Sequence, residues 1–247
     1  MSADKPSSYG PLALLGGEGL RHDSRGLWQR LASSHGQPAR AVIVPAALGG
    51  QAVGAAERHT GLAQETLAGW DIAAEVVAGP ERPDALHDAG LIALPGGDAR
   101  TLIESLAGSD EWNAILEAHA HGAALAAAGS SAMGLGAVAF APPKPGPATL
   151  DDLSYEAVDG LGLLPGLAIL PYFNWLQETL VRRITALCPP GTWLVGIDDQ
   201  AALIATGRGW HADGLGQVTI WQPGGRAQVV DAGQSLPADL LPPYPPR

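Results

Sequence analysis

From Leu12 to about residue 140 the chain alternates short apolar runs with longer stretches of helical period, and that rhythm limits the folds open to it more than any other feature. The apolar runs Leu12–Leu15, Ala41–Ala46, Ile72–Val77, Leu91–Leu94 and Ala123–Ala128 read as strands. Between them Ser24–Ser34, Ala52–Gly69, Ala99–Leu106 and Asp110–His121 read as helices. Strands that alternate with helices in this way predict a parallel sheet covered on both faces. The later part has a different texture. Ala168–Leu170, Leu194–Ile197, Ala201–Thr206, Gln217–Trp221 and Ala227–Val230 follow one another closely, with glycine turns at Gly214-Leu215-Gly216 and Pro223-Gly224-Gly225, which predicts an antiparallel extension. One further helix is expected at Trp175–Leu187, where Leu176, Leu180, Ile184 and Leu187 share a face that excludes Arg182 and Arg183.

At 247 residues, 46% hydrophobic and 16% charged, the chain is read as one globular domain spanning 1–247, with tails at 1–10 and 236–247. The proline-rich stretch Ala141–Thr149 is expected to be irregular, and Leu236–Arg247, with Pro237, Pro242, Pro243, Pro245 and Pro246, to be extended. The net charge of −11, with no basic run, argues against a nucleic-acid or anionic-membrane surface. No apolar run is long enough to span a bilayer, and Met1–Gly10 lacks the pattern of a signal peptide. Cys188 is the single cysteine, which fits a reducing compartment, so a cytoplasmic location is expected. Followed by Pro189-Pro190, it reads as a packed helix end. No spacing of His, Cys, Asp and Glu suggests a metal, and no cofactor is expected. Leu14-Leu15-Gly16-Gly17-Glu18-Gly19 lacks the final glycine of a dinucleotide fingerprint.

The strongest local pattern is Ala126-Ala127-Ala128-Gly129-Ser130-Ser131-Ala132-Met133-Gly134. A small-residue strand meets a helix there, as a nucleophile elbow requires: small neighbours let the chain turn sharply and expose a hydroxyl. Ser131 is the candidate nucleophile, with the bare alternative that these serines cap a helix. Leu94-Pro95-Gly96-Gly97-Asp98 runs another strand into glycines, which allows close approach of backbone to a ligand, or simply a turn capped by Asp98.

Taken together, these blocks resemble the serine hydrolase branch of the class I glutamine amidotransferase-like superfamily, which includes dipeptidase E and cyanophycinase. The similarity rests on Leu15-Gly16-Gly17, Gly96-Gly97-Asp98, Gly129-Ser130-Ser131-Ala132, Gly160-Leu161-Gly162-Leu163-Leu164-Pro165-Gly166 and Gly196-Ile197-Asp198-Asp199, across roughly residues 12 to 221. The resemblance implies a flavodoxin-like α/β fold, mostly parallel with helices on both faces and an antiparallel C-terminal extension. It implies a serine peptidase or amidase of small peptide or amide ligands, and a homodimer. Ser131 would be the nucleophile; the N–H groups of Gly97 and Ala132 would form the oxyanion hole. Gly96, Asp98 and Met133 would line the substrate pocket, and Asp199 would join it.

Departures from that pattern matter as much. Tyr172, in Leu170-Pro171-Tyr172-Phe173, stands where the family has its histidine, and Met133 where the elbow has a glycine. The family's aspartate–glutamate pair is Asp198-Asp199 here, and Leu176, Gln177 and Glu178 stand near its substrate-binding arginines. A phenol titrating near 10 is a poor general base beside an imidazole near 6.5. A hydrolase that is weak or inactive, or a degenerate binding module that keeps the fold, are therefore the competing expectations. His22 and His211 are the histidines that could replace the missing base, whereas His59, His119 and His121 fall on expected outer helices. A glutamine amidotransferase proper would need cysteine in the elbow, where none stands.

Overall fold

The computed structural model describes residues 9–34, 40–49, 54–77, 83–143, 155–225 and 227–245. In chain order the strands are β1 Leu12–Leu15, β2 Ala41–Ile43, β3 Ala74–Val76, β4 Leu91–Leu94, β5 Ala124–Ala128, β6 Gly136–Ala141, β7 Glu156–Asp159, β8 Leu164–Leu170, β9 Trp193–Ile197, β10 Ala201–Thr206, β11 Gly209–Gly214, β12 Gln217–Trp221 and β13 Ala227–Asp231. The helices are α1 Arg25–Ala32, α2 Ala55–Ala68, α3 Pro83–His87, α4 Ala99–Leu106, α5 Asp110–Ala120, α6 Ser130–Gly134 and α7 Glu178–Leu187. No helix among the described residues is long and apolar enough to cross a membrane.

Two sheets form. The first has the order β11-β10-β1-β5-β4-β2-β3, parallel from β1 to β3 and antiparallel at β10 and β11. The second has the order β13-β12-β9-β8-β6-β7. It is antiparallel except for β6–β8 and β8–β9. The expected mixed α/β architecture is therefore present, but the antiparallel part is divided between two sheets.

The period-2 alternation of the strands builds the core. In β1, Leu12 and Leu14 face one side, Ala13 and Leu15 the other; in β5, Leu125 and Ala127 oppose Ala124, Ala126 and Ala128. One face is covered by Leu27, Trp28 and Leu31 of α1 and by Ala63 and Leu67 of α2. The other is covered by Leu102 and Leu106 of α4, Trp112 and Ile115 of α5, and Ile169, Val195 and Ile220 of the second sheet. Each fully buried Leu or Ile contributes on the order of 1.5–3 kcal/mol relative to exposure. The far face of the second sheet packs Phe140, Leu170 and Leu194 against Ile184 of α7, on the stripe expected there.

Several boundaries depart from expectation. Pro45 ends β2 early, and Ala46–Leu48 forms a 3-10 turn instead. Phe173–Trp175 is likewise a separate 3-10 turn ahead of α7. The strands Gly136–Ala141, Glu156–Asp159 and Gly209–Gly214 are not among the expected runs. Within β8, Pro165 and Gly166, the latter with φ +75°, lie beside a shift of register against β6. Ala52 and most of the proline-rich stretch, residues 144–149, lie outside the described residues. The largest correction concerns the C-terminal segment. Leu236, Leu240, Leu241 and Tyr244 are buried, so Leu236–Tyr244 is a packed strap rather than a tail. Its anchor is the buried His119. Nδ1 lies 2.7 Å from the Ala123 carbonyl and Nε2 2.7 Å from the Tyr244 hydroxyl. The carbonyl fixes a proton on Nδ1, so Nε2 accepts from the phenol.

Candidate active site

Three strand ends meet at one edge of the first sheet. β1 runs into Gly16-Gly17-Glu18, β4 into Pro95-Gly96-Gly97, and β5 into Gly129. Glycine is required at the first because the 197–199 segment crosses it. A Cβ on Gly16 would lie 2.1 Å from the Asp198 carbonyl oxygen, and one on Gly17 2.1 Å from Asp199 Oδ1. Tyr172 closes the group, its N–H donating to the Gly16 carbonyl at 2.7 Å.

The elbow is not where Ser131 was expected to make it. Gly129, directly after β5, has φ 51° and ψ −123°, and opens α6. Among the described residues only Asp71 and Tyr172 are non-glycines with positive φ, so Ser131 carries no such strain. Its side chain is fully buried and donates a 2.6 Å hydrogen bond to the Pro95 carbonyl, which ties α6 to the β4 turn. The strained residue of a strand-to-helix elbow is the one whose side chain is presented. At Gly129 there is none.

Tyr172 lies across that position. A Cβ on Gly129 would meet the Tyr172 hydroxyl at 3.1 Å and its Cε2 at 3.2 Å. Tyr172 is itself left-handed (φ 52°, ψ 34°), a conformation costing a non-glycine residue roughly 1–2 kcal/mol. Its phenol donates to Glu18 Oε1 at 2.6 Å, and its ring lies 5.3 Å from that of Trp175. Burial raises the Tyr172 pKa most, followed by the hydrogen bond to Glu18 and the charges of Glu18 and Asp199, so the phenol stays neutral and acts as a donor. Glu18 also lies over Gly96, whose added Cβ would stand 3.3 Å from both carboxylate oxygens. His59 Nε2 is 3.6 Å from Glu18 Oε2. Glu18 and His59 belong to this edge, though the sequence reading gave neither a role there. Glu18 was visible in a glycine-rich strand end; nothing in the sequence marks His59, which reaches in from α2.

The other expected site residues separate. Asp199 is at the edge, its side chain 10% exposed and its N–H donating to Asn174 Oδ1 at 2.8 Å. One side of Gly97 packs on protein, since a Cβ there would lie 2.4 Å from the Ala47 carbonyl oxygen, although the residue itself is exposed. Asp98 caps α4, accepting from Thr101 N at 2.7 Å and Thr101 Oγ1 at 2.8 Å. Ala132 is wholly buried. Met133 does not narrow the cleft. Its sulfur accepts from Phe140 N at 3.3 Å and belongs to the cluster behind the second sheet. His211 is on β11, opposite Ile204, and lies three strand spacings, roughly 14 Å, from β5. Burial lowers its pKa, Asp213 raises it and Arg30 lowers it. Such a placement does not serve the elbow. His22 opens a 3-10 turn, and its side chain lies outside the described residues.

No protein-family model and no curated protein matches the chain. Solved structures do. The crystal structure of a peptidase from an acI-B1 Actinobacterium superposes with a TM-score of 0.79 at 22% identity, over 94% of this chain and 98% of that one. A putative peptidase E protein from Listeria monocytogenes EGD-e superposes with a TM-score of 0.61 at 16% identity, over 84% and 99% of the two chains. At these identities the likeness establishes the fold: this is a peptidase E-like α/β architecture.

Proposed function

We propose that this chain is a non-hydrolytic binding protein on the peptidase E-like fold, holding a small peptide or amide ligand at the edge formed by Gly16–Glu18, Gly96, Gly129 and Tyr172. Gly129 carries the reading. The one elbow residue with strained, side-chain-presenting dihedrals has no side chain. A nucleophilic hydrolase needs a hydroxyl or thiol there and a base to take its proton. Here the space is bordered by a neutral phenol, and a carboxylate, Glu18, stands over Gly96, next to the Gly97 N–H that an oxyanion hole would use as a donor. Ser131 supplies no substitute, because its hydroxyl is buried and bonded to Pro95. The degenerate binding module that keeps the hydrolase fold is thus favoured over the weak serine hydrolase.

Purified protein should release no product from a panel of short peptides, amides and activated esters above the level of its Ser131→Ala variant. Turnover that disappears with Ser131→Ala would overturn the proposal and restore Ser131 as a nucleophile.

A further inference from the structure

Beside the elbow, between α1 and the segments that begin β10 and end β11, the surface holds a cleft of about 130 Å³. None of Gly96, Gly129, Ser131 or Tyr172 lines it, though Asp199 does. Its apolar lining includes the buried Leu15, Leu27 and Ala202 and the exposed Leu215. Its charged groups are arranged unequally. Asp213 is satisfied: Oδ1 accepts from Gly214 N at 2.7 Å and Oδ2 pairs with Arg30. Arg21 and Asp199 are not. Arg21 Nη1 stands 3.8 Å from Asp199 Oδ2, and Nε 3.7 Å from Asp23 Oδ1, both beyond hydrogen-bond range. The Asp199 side chain is nine-tenths buried, and its ion pair with Arg21 is a loose one with no hydrogen bond between the two groups. A buried carboxylate held only by a loose ion pair, beside a guanidinium fork that makes no hydrogen bond to it, leaves bonding capacity on both for a ligand. The turn presenting Arg21 is fixed: its N–H donates to Ser24 Oγ at 3.1 Å, and Trp28 Nε1 donates to the Gly19 carbonyl at 2.6 Å.

We infer that this cleft binds a free amino acid with an apolar side chain, its carboxylate on Arg21, its ammonium on Asp199 and its side chain over Leu15, Leu27 and Ala202. An α-amino acid carries opposite charges on adjacent groups, matching an acceptor and a donor that stand side by side without bonding each other. A cavity of about 150 Å³ accepts a benzene-sized body, so a space of this size suits a branched aliphatic side chain. The inference does not rest on the absence of hydrolysis, because its residues are not those of the elbow.

Calorimetric titration with L-leucine tests it, alongside 3-methylbutylamine, which lacks the carboxylate, and 4-methylpentanoate, which lacks the ammonium. The expected result is saturable one-site binding of L-leucine, at least about tenfold weaker for each analogue. Arg21→Gln and Asp199→Asn should each weaken L-leucine binding by at least about tenfold as well, with Arg182→Ala, in an exposed pair on α7, as an unaffected control. The analogues act on wild-type protein, so the test survives a variant that misfolds. No binding of L-leucine up to about 10 mM would overturn the inference. So would analogues that bind as well as L-leucine, or affinity lost with Tyr172→Ala and kept with Arg21→Gln, which would place the ligand at the elbow.

Discussion

Substituting Gly129 by alanine separates the two readings of the elbow by sign. At φ 51° and ψ −123° a non-glycine residue is strained, at a cost of about 1–3 kcal/mol. The new Cβ would also sit 3.1 Å from the Tyr172 hydroxyl and 3.2 Å from its Cε2, so the ring must yield by a few tenths of an ångström, adding on the order of 1 kcal/mol. Together these give a loss of at least about 2 kcal/mol, and for a domain of this size a melting temperature about 4–8 °C lower. A two-by-two cycle with Tyr172→Gly divides the loss. In that background the ring is absent, and Gly129→Ala should cost about 1 kcal/mol less. Thermal unfolding of the four proteins, followed by circular dichroism, supplies the numbers. Were Gly129 an ordinary turn glycine, alanine would stabilise by about 0.4–1 kcal/mol through the unfolded chain. A raised melting temperature would therefore refute the placement of the elbow at Gly129.

Two further outcomes follow from the strap and the helix cap. Burial lowers the pKa of His119, with the Ala123 carbonyl opposing, so below its unfolded value of about 6.5 the unfolded state binds the extra proton first. Stability should hold above about pH 6.5 and decline as pH falls; His119→Gln should flatten that slope in urea titrations at pH 7.5 and 5, and an unchanged slope would contradict the assignment. Asp98→Ala removes the cap of α4 and should cost about 1 kcal/mol, roughly 2–4 °C in thermal unfolding, whereas a side chain reserved for ligand would leave stability unchanged.

The layers of this fold are legible in the sequence because burial on both faces demands them. The apolar runs that become β1, β4 and β5 are set by the core and little else. The strands that escape the pattern are the less regular ones. β7 is an exposed edge with an acidic residue at each end, Glu156-Ala157-Val158-Asp159, and β8, expected only over Ala168–Leu170, begins earlier and runs through Pro165 and Gly166. The C-terminal strap was misread for a related reason. Its prolines forbid helix and sheet ladder but not burial, and Leu240, Leu241 and Tyr244 sit between them. At the elbow, every residue from Ala126 to Ala132 is small, so the motif fits with either Gly129 or Ser131 at its centre. Centred on Gly129, Ala127 and Ser131 occupy the flanking positions that must stay small. Composition could not choose between these registers; the backbone dihedrals do. Likewise Glu18, Tyr172 and Asp199 lie far apart in sequence; the crossing of 197–199 over Gly16 and Gly17 and the bond from Tyr172 N–H to the Gly16 carbonyl draw them together.

The absence of a presented nucleophile can be measured without knowing any ligand. Wild-type protein is incubated with an excess of a fluorophosphonate, which phosphonylates activated serine hydroxyls, and its intact mass is recorded beside that of Ser131→Ala. The account predicts an unmodified mass for both proteins, since the elbow residue is Gly129 and the Ser131 hydroxyl is buried against Pro95. A single phosphonyl adduct on the wild type, mapped to Ser131 and missing from Ser131→Ala, would contradict it.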